Sequence, residues 1–571
     1  MLDHYLTEKA IVRKLSDLRA KAASVEHEKL RLDAISSEDR YRQLSQQALA
    51  LQQLLPPRTD WIRPQMRQGM TGQQKTSRSV YAAAMKALHL PEYAKEYHTL
   101  NLQEFMAKVR ERAVAREPFV FQPSSTIAIP KERGGSVYRA ISRLGLADSV
   151  VDRITARYLR DCFDLDFLDC SLAFRTGKRG CPVPTHHDGF RAIMEFLFAH
   201  HDGELWVGEY DIIKFFDSIG HDVAKAAIDR AVTRAETRGV VVDPRAIQIT
   251  RAFIDAYSFP KNVLQDVLPA LRQRDPAATF AWPGDDGNLD AFYTSPMEAR
   301  IGILQGAALS CLVANLVLHD ADQAVVRSMG EITYVYLRYV DDMVLVCTSK
   351  EDCQRGMDAY RQAVKDQKLP VHEPKPDIPY GPEFWRQKSK GPYQWSDQPG
   401  CVPWVGFCGY QAHFDGHVRI RPSSIRKQIE KMRDETAKVT HRMSAAGASG
   451  IRLSRQSILH RFNQRLIARL VGHRTPDSRP GELSPNCVAS GFRLLAEYPH
   501  QQGQLRVLDR ARNQCVGEVG KALKSVRAAD LPPRPSHRRR KLRVKYFGKP
   551  YSLAGQFQEG LSLRRGPAKS R

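Results

Sequence analysis

Hydrophobic positions recur with a helical period over residues 1 to about 55, where Ile11, Val12, Leu15, Leu18, Ala22 and Val25 are separated by Lys, Arg and Glu, and no Pro or Gly intervenes before Pro56. That spacing predicts one or two amphipathic helices. Their heptads are not sustained, which favours packing on the protein's own body over a coiled coil between copies, with self-association left open. Pro56-Pro57 and the polar stretch from Gly69 to Ser79 read as a connector, and a second helical region follows from about 79 to 116. The period then changes. Thr126 to Lys131 reads as a strand, Glu132 to Ser136 as a Gly-Gly turn and Val137 to Ile141 as the returning strand. Leu205 to Asp211 is a further apolar strand, and Gly302 to Leu316 a loop entering a nearly all-apolar helix. Leu337 to Val346 has the pattern of two buried strands joined by a two-residue acidic turn. A helix from about 350 to 368, an apolar hairpin from Val402 to Tyr410 and basic helices from Ser423 to Arg469 complete the pattern.

Charge changes the picture where it interrupts this pattern. Asp341 and Asp342 stand side by side in a core hairpin, and Asp211 ends a core strand. Burying adjacent carboxylates costs several kcal/mol unless cations offset it, so these three predict a divalent-metal site. Asp285 and Asp286 look similar, but the Pro and Gly around them predict an exposed turn within a Pro-, Gly- and Asp-rich insertion, 258–300. For His186-His187-Asp188, an N-cap role for Asp188 with the histidines outside the helix is favoured over metal binding. Lys131, Arg133 and Arg139 on the first hairpin read either as a solvated face or as an anion-binding edge. Ser171 to Gly180 is a basic, glycine-punctuated loop in which Arg175 and Lys178 are candidate nucleic-acid contacts.

The net charge of +24, from 87 Lys and Arg against 63 Asp and Glu, points to a polyanionic partner, nucleic acid ahead of a membrane surface. Residues 531–571 hold twelve Lys or Arg and one acid, Glu559, with Arg538, Arg539, Arg540 and Lys541 in the densest run. Such a tail suits a phosphate backbone. No apolar run is read as spanning a membrane and no signal-peptide core is found, so a soluble, cytoplasmic protein is expected. The ten cysteines form no Cys-x-x-Cys pair, which indicates neither a zinc module nor a disulfide framework.

Taken in order, these blocks resemble the reverse transcriptases, within them the bacterial retroelement branch of group II intron proteins and defence-associated enzymes. Tyr339-Val340-Asp341-Asp342 is similar to the family's YxDD box, and Asp211 followed by Lys214 to Ile219 to its first-aspartate motif. Leu304-Gln305-Gly306 is similar to the PQG block, with Leu in place of Pro. Ser171 to Gly177 resembles the S-x-G-F-R-P-G loop, and Val405 to Tyr410 the primer-grip hairpin. The resemblance covers roughly 119–415 and implies an α+β right-hand polymerase, with fingers and an antiparallel palm sheet, then a helical thumb. The implied layout is an N-terminal helical extension (1–118), fingers and palm (119–415), a thumb or RNA-binding region (416–530) and a basic tail (531–571).

By the same resemblance, Asp211 and Asp341 would bridge two Mg²⁺ ions, for which Mn²⁺ could substitute. Asp342 would be a third acidic partner and the Ile212 carbonyl a further ligand. Lys131 and Arg139 would bind the triphosphate, and Lys375 would protonate pyrophosphate. Gln305 and Gly306 would line the nucleotide and template pocket. Phe216 would crowd a ribose 2′ hydroxyl, favouring deoxynucleotides and a DNA product. The implied activity is RNA-directed DNA synthesis in a retroelement or antiphage system, with a structured non-coding RNA as template or partner. A maturase acting mainly as an RNA-binding splicing factor, and a polymerase of untemplated DNA, are the alternatives.

Overall fold

The computed structural model describes residues 1–33, 46–62, 72–132, 134–176, 183–376, 378–446, 454–471, 494–495, 497–500 and 502–525. The basic run Arg538, Arg539, Arg540 and Lys541, the rest of the tail 531–571, and Lys178 lie outside the described residues. The chain forms two compact units, one of residues 1–14 with 100–408 and the other of residues 15–99 with 409–571. The N-terminal block 1–118 expected as one extension is therefore divided between them.

Among the described residues four α-helices precede any strand: α1 (Glu8–Asp33), α2 (Gln46–Leu54), α3 (Gly72–His89) and α4 (Tyr97–Val114). The stripe read from the sequence is covered by the chain itself, since Ile11, Val12, Leu15 and Leu18 are all buried. The first unit continues with β1 (Ser125–Pro130) and β2 (Val137–Arg143), which pair antiparallel in the expected hairpin. Next come α5 (Leu146–Phe163), α6 (His186–His200), β3 (Trp206–Tyr210), the single turn α7 (Phe215–Ser218), α8 (His221–Thr237) and α9 (Pro244–Asp255). The helix α6 corrects one expectation. Its N-cap is Thr185, Asp188 closes a capping box from the third helical position, and both histidines lie inside the first turn.

The stretch 258–300 is built into the fold rather than looped out of it. It contains α10 (Leu268–Arg272) and β4 (Thr279–Phe280), which pairs parallel with β2, and its Trp282 is buried against Phe259 with ring centroids 6.1 Å apart. Asp285 and Asp286 are exposed, in the turn expected for them.

A four-stranded antiparallel sheet, in the order β5-β6-β3-β7, holds the centre of the first unit: β5 is Tyr334–Tyr339, β6 Asp342–Cys347 and β7 Lys390–Gln394. The helices α11 (Ala308–Met329) and α12 (Lys350–Asp366) cover one face. Successive strand residues point to opposite faces. Gly208 and Tyr210 face α12, where a Cβ on Gly208 would fall 2.2 Å from the Met357 sulfur and Tyr210 stacks on Tyr360. Asp211, next in line, is directed to the other face. There α6 packs on β5, with Gly189 close to Leu337. The helix α11 corrects the membrane expectation, being long and apolar enough to span a bilayer by length and composition. Its buried Asn315, His319 and Asp322 are those of a core helix. A short helix, α13 (Pro382–Arg386), and β8 (Trp404–Phe407) complete this unit.

The second unit contains the antiparallel pair β9 (Tyr410–His413) and β10 (Val418–Ile420). The helices α14 (Pro422–Ala446), α15 (Arg455–Val471) and α16 (Gln502–Ser525) pack together in it. Arg465 is paired with the buried Glu435 at 2.5 Å, and Arg512 donates to Asn463.

Candidate active site

The acidic hairpin is built from β5 and β6, whose last paired residues are Tyr339 and Asp342. The two-residue turn is consequently Val340-Asp341, one position earlier than the Asp-Asp turn read from the sequence. Asp342 opens β6 and is exposed, while Asp341 is half-buried in the turn. Burial, then the neighbouring Asp342 and then Asp211 push the Asp341 carboxyl up to about 6. Strand register explains the meeting. Tyr210 pairs with Met343, so the next residue on β3, Asp211, comes opposite Asp342, and both point to the α6 face with Tyr339. His186 of α6 lies edge-on to the Tyr339 ring at 5.6 Å.

Asp211 is held by groups that sequence reading missed. Its amide donates to Ser389 Oγ at 2.9 Å, its carbonyl accepts from the His372 amide at 3.1 Å, and its carboxylate lies 3.7 Å from His372 Nε2 and 3.8 Å from Lys388 Nζ. Burial holds His372 below its ordinary value despite this carboxylate. Ile212 is buried opposite Val371, in a bridge whose two hydrogen bonds use the Asp211 carbonyl and the Ile213 amide.

Lys131, just past β1, lies with Arg139 of β2, Lys214 and Asp217. Partial desolvation, then Lys214 and Arg139, push the Lys131 ammonium down to about 8. Burial raises Asp217 to about 7 in spite of the three cations around it. Phe216 is half-buried beside Phe215, and its carbonyl accepts from the Ile303 amide at 2.9 Å. That bond, with Gly302 donating to Ile219 at 2.8 Å, brings the Gln305-Gly306 segment to the aromatic residue. Gly306 is exposed at φ 101°, a conformation that glycine adopts at little cost. The first amides of α11 are not open to a ligand, because the buried Asp152 accepts from Ala308 and Leu309, both at 2.9 Å.

Two expected contacts lie elsewhere. Arg175 is buried and donates to Asp164 Oδ1 at 2.9 Å and to the carbonyls of Leu168, Ser171 and Asp164, so its guanidinium is a strut of the fold and not a nucleic-acid contact. Lys375 lines a cavity of about 620 Å³ with Trp206, Tyr210 and Arg361, on the α12 side of the sheet and away from the Asp211 side.

Residues 254–398 match the reverse transcriptase (RNA-dependent DNA polymerase) family. This stretch of 145 residues is similar to the reverse transcriptase domain. Members of that family are RNA-directed DNA polymerases, nucleotidyltransferases that in general take a nucleic-acid template and deoxynucleoside triphosphates. The match includes Gln305, Gly306, Asp341, Asp342 and Lys375 and begins after Lys131, Arg139, Asp211 and Phe216. No curated protein matches the chain.

Reverse transcriptase domains generally use divalent metal ions. Among the described residues no three His, Cys, Asp or Glu side chains are grouped so that they could by themselves hold a metal ion. The crowded, incompletely neutralised carboxyl of Asp341 nevertheless fits a cation. An open carboxylate platform suits Mg²⁺, which is commonly bound by one or two carboxylates and takes further oxygens from water and substrate phosphates.

Proposed function

We propose that this protein is an RNA-directed DNA polymerase of a bacterial retroelement or antiphage defence system, working with a structured RNA. The observation that carries the reading is the Asp341 carboxyl, raised in a strand turn by burial and then by Asp342 and Asp211, on the face opposite α11 and α12. In this reading β1 and β2 belong to the fingers, the four-stranded sheet is the palm and the helices after 421 form the thumb. Two Mg²⁺ ions, when bound, supply activation of the primer hydroxyl and stabilisation of the leaving pyrophosphate. Asp211, Asp341 and Asp342 hold them, with the Ile212 carbonyl as a further ligand. Lys131 and Arg139 neutralise the triphosphate through charge-assisted contacts, and Lys214 joins them. Lys388, which lies beside Asp211 with the imidazole of His372, takes the place expected for Lys375 as the proton donor to pyrophosphate.

The test is incorporation of labelled deoxynucleotides by the purified protein on a primed RNA template, together with sequencing of the nucleic acid that co-purifies. One dominant structured RNA and a DNA product are expected; inactivity on every primed template offered would count against the reading. Phe216 is the proposed sugar gate. Phe216→Ala is expected to raise ribonucleotide incorporation relative to deoxynucleotide by about tenfold or more, the discrimination that close steric contacts provide. An unchanged ratio would remove Phe216 from that role.

Lys131 supplies a pH dependence. Its ammonium is charged below about 8 and neutral above, so the KM for deoxynucleotide is expected to rise between pH 7 and 9. Ionisation of Asp217 near 7 acts in the same direction by lowering the net positive charge of the cluster. Lys131→Arg, which stays charged throughout, is expected to flatten the rise in a steady-state KM profile. A rise as steep in this variant as in the wild type would assign the titration elsewhere.

A further inference from the structure

Arg338, the last residue but one of β5, is almost completely buried and points toward α11, away from the face that carries Asp211 and Asp342. Its guanidinium makes five hydrogen bonds. Nε and Nη2 hold the two oxygens of Asp322 at 2.7 and 2.5 Å, Nη2 also donates to Ser171 Oγ at 2.9 Å, and Nη1 donates to Asn315 Oδ1 at 3.3 Å. The fifth bond runs from Nη1 to the carbonyl oxygen of Val340 at 2.8 Å. An arginine has five N–H donors, and all five are used. Asp322 is itself fixed by the Tyr336 hydroxyl at 2.8 Å, and Asn315 by donating to the Ala173 carbonyl at 2.7 Å.

The acceptor of that fifth bond is unusual. Val340 has φ 64°, left-handed backbone that a β-branched residue adopts only when its surroundings impose it. No Cβ preference and no turn chemistry of Val favours the conformation. The carbonyl that Arg338 grips is the one that links Val340 to Asp341. A buried ion pair needed only for packing would be satisfied by Asp322; the bond to Val340 instead ties the turn to α11 and to the 171 loop.

We propose that Arg338 is the positioning residue of the catalytic turn. Clamped by Asp322, Ser171 and Asn315, it holds the Val340 carbonyl, keeps Val340 left-handed and so fixes Asp341 beside Asp342 and Asp211. The proposal rests on reading this hairpin as the metal-binding turn of the polymerase. It gives Ser171 and Asn315 a task neither had: they orient Arg338.

The test separates the clamp from the ion pair. Arg338→Met with Asp322→Asn removes both charges together, so no unpaired buried charge remains, and the side-chain amide introduced at position 322 still accepts from Tyr336. This double variant is expected to melt cooperatively and near the wild-type temperature. Its affinity for Mn²⁺, read by electron paramagnetic resonance without nucleic acid, is expected to fall by about tenfold or more, as is kcat at saturating deoxynucleotide, the factor that backbone strain of this kind represents. Adding Val340→Gly, which adopts the left-handed turn without a Cβ penalty, is expected to recover most of both losses. Mn²⁺ affinity and kcat within about threefold of wild type in the folded double variant, about 0.65 kcal/mol or less, would overturn the proposal. So would failure of Val340→Gly to recover either. Should the double variant not melt cooperatively, Arg338→Lys decides by the same measurements, since it keeps a cation for Asp322 but has three donors instead of five. A wild-type protein that binds Mn²⁺ through Asp341 but incorporates no deoxynucleotide would remove the polymerase reading and leave the role of Arg338 to be decided by metal binding alone.

Discussion

Asp341→Asn is expected to abolish deoxynucleotide incorporation while making the metal-free protein more stable at neutral pH. Loss of the proposed metal-binding carboxylate should cost about a thousandfold or more in rate, roughly 4 kcal/mol of transition-state stabilisation. The stability effect follows from the raised carboxyl. In the folded chain Asp341 titrates near 6, whereas an unperturbed aspartate titrates near 3.9, so the folded state holds the proton more tightly and stability falls as pH rises between those values. Above about pH 6 the ionised carboxylate is a standing cost of about 1–3 kcal/mol, discounted for a side chain that is only half-buried. Thermal melts in a chelator at pH 7.5 and pH 5 check this. The variant should melt higher than wild type at pH 7.5, and the gap should shrink by about half at pH 5, closing only below about pH 3.9. A lower melting temperature at pH 7.5 would make Asp341 a structural residue.

Arg175→Ala is expected to do the opposite, lowering stability by about 3–5 kcal/mol, because it leaves the buried Asp164 carboxylate without its partner. The remaining bonds of this guanidinium hold the carbonyls of Leu168, Ser171 and Asp164, so the loop that carries Ser171 should loosen as well. Nucleic-acid affinity measured at low temperature should keep its salt dependence, since no phosphate contact is removed. A denaturant titration and a salt series distinguish the outcomes. Undiminished stability with a salt slope reduced by about one charge would return Arg175 to the nucleic-acid surface.

Arg175 also shows where reading the sequence stops. A basic residue among glycines and polar residues looks like a phosphate contact, and nothing local reveals that Asp164, eleven positions earlier, closes over it. Arg338 is the same case in a strand: its charge was visible, its four partners on three separate segments were not. The parts that could be read were those set by short-range periodicity. The β1–β2 hairpin, the strand ending at Asp211 and the β5–β6 hairpin all form where alternation places them, with the turn displaced by one residue to Val340-Asp341. Left-handed backbone at a valine could not be anticipated, because the arginine that grips it two residues away is itself held by Ser171, Asn315 and Asp322 from distant segments. His372, Lys388 and Ser389 reach Asp211 across more than 150 residues of chain, which no spacing rule spans. The region 258–300 misled by composition. Its Pro, Gly and Asp suggested an excursion, whereas Phe259, Phe280 and Trp282 are buried core.

The division of the chain into two units also bears on its synthesis. Residues 15–99 share a unit with residues beyond 408, so 309 residues of the other unit separate the two halves. At about 5–20 residues per second, a ribosome takes roughly 15 to 60 seconds to make that stretch. For that interval the N-terminal helices, with Leu15, Leu18, Leu51 and Leu55 all buried in the finished protein, precede the remainder of their unit. The unit built around Asp211 and Asp341 can close first, since everything it needs has been translated by residue 408.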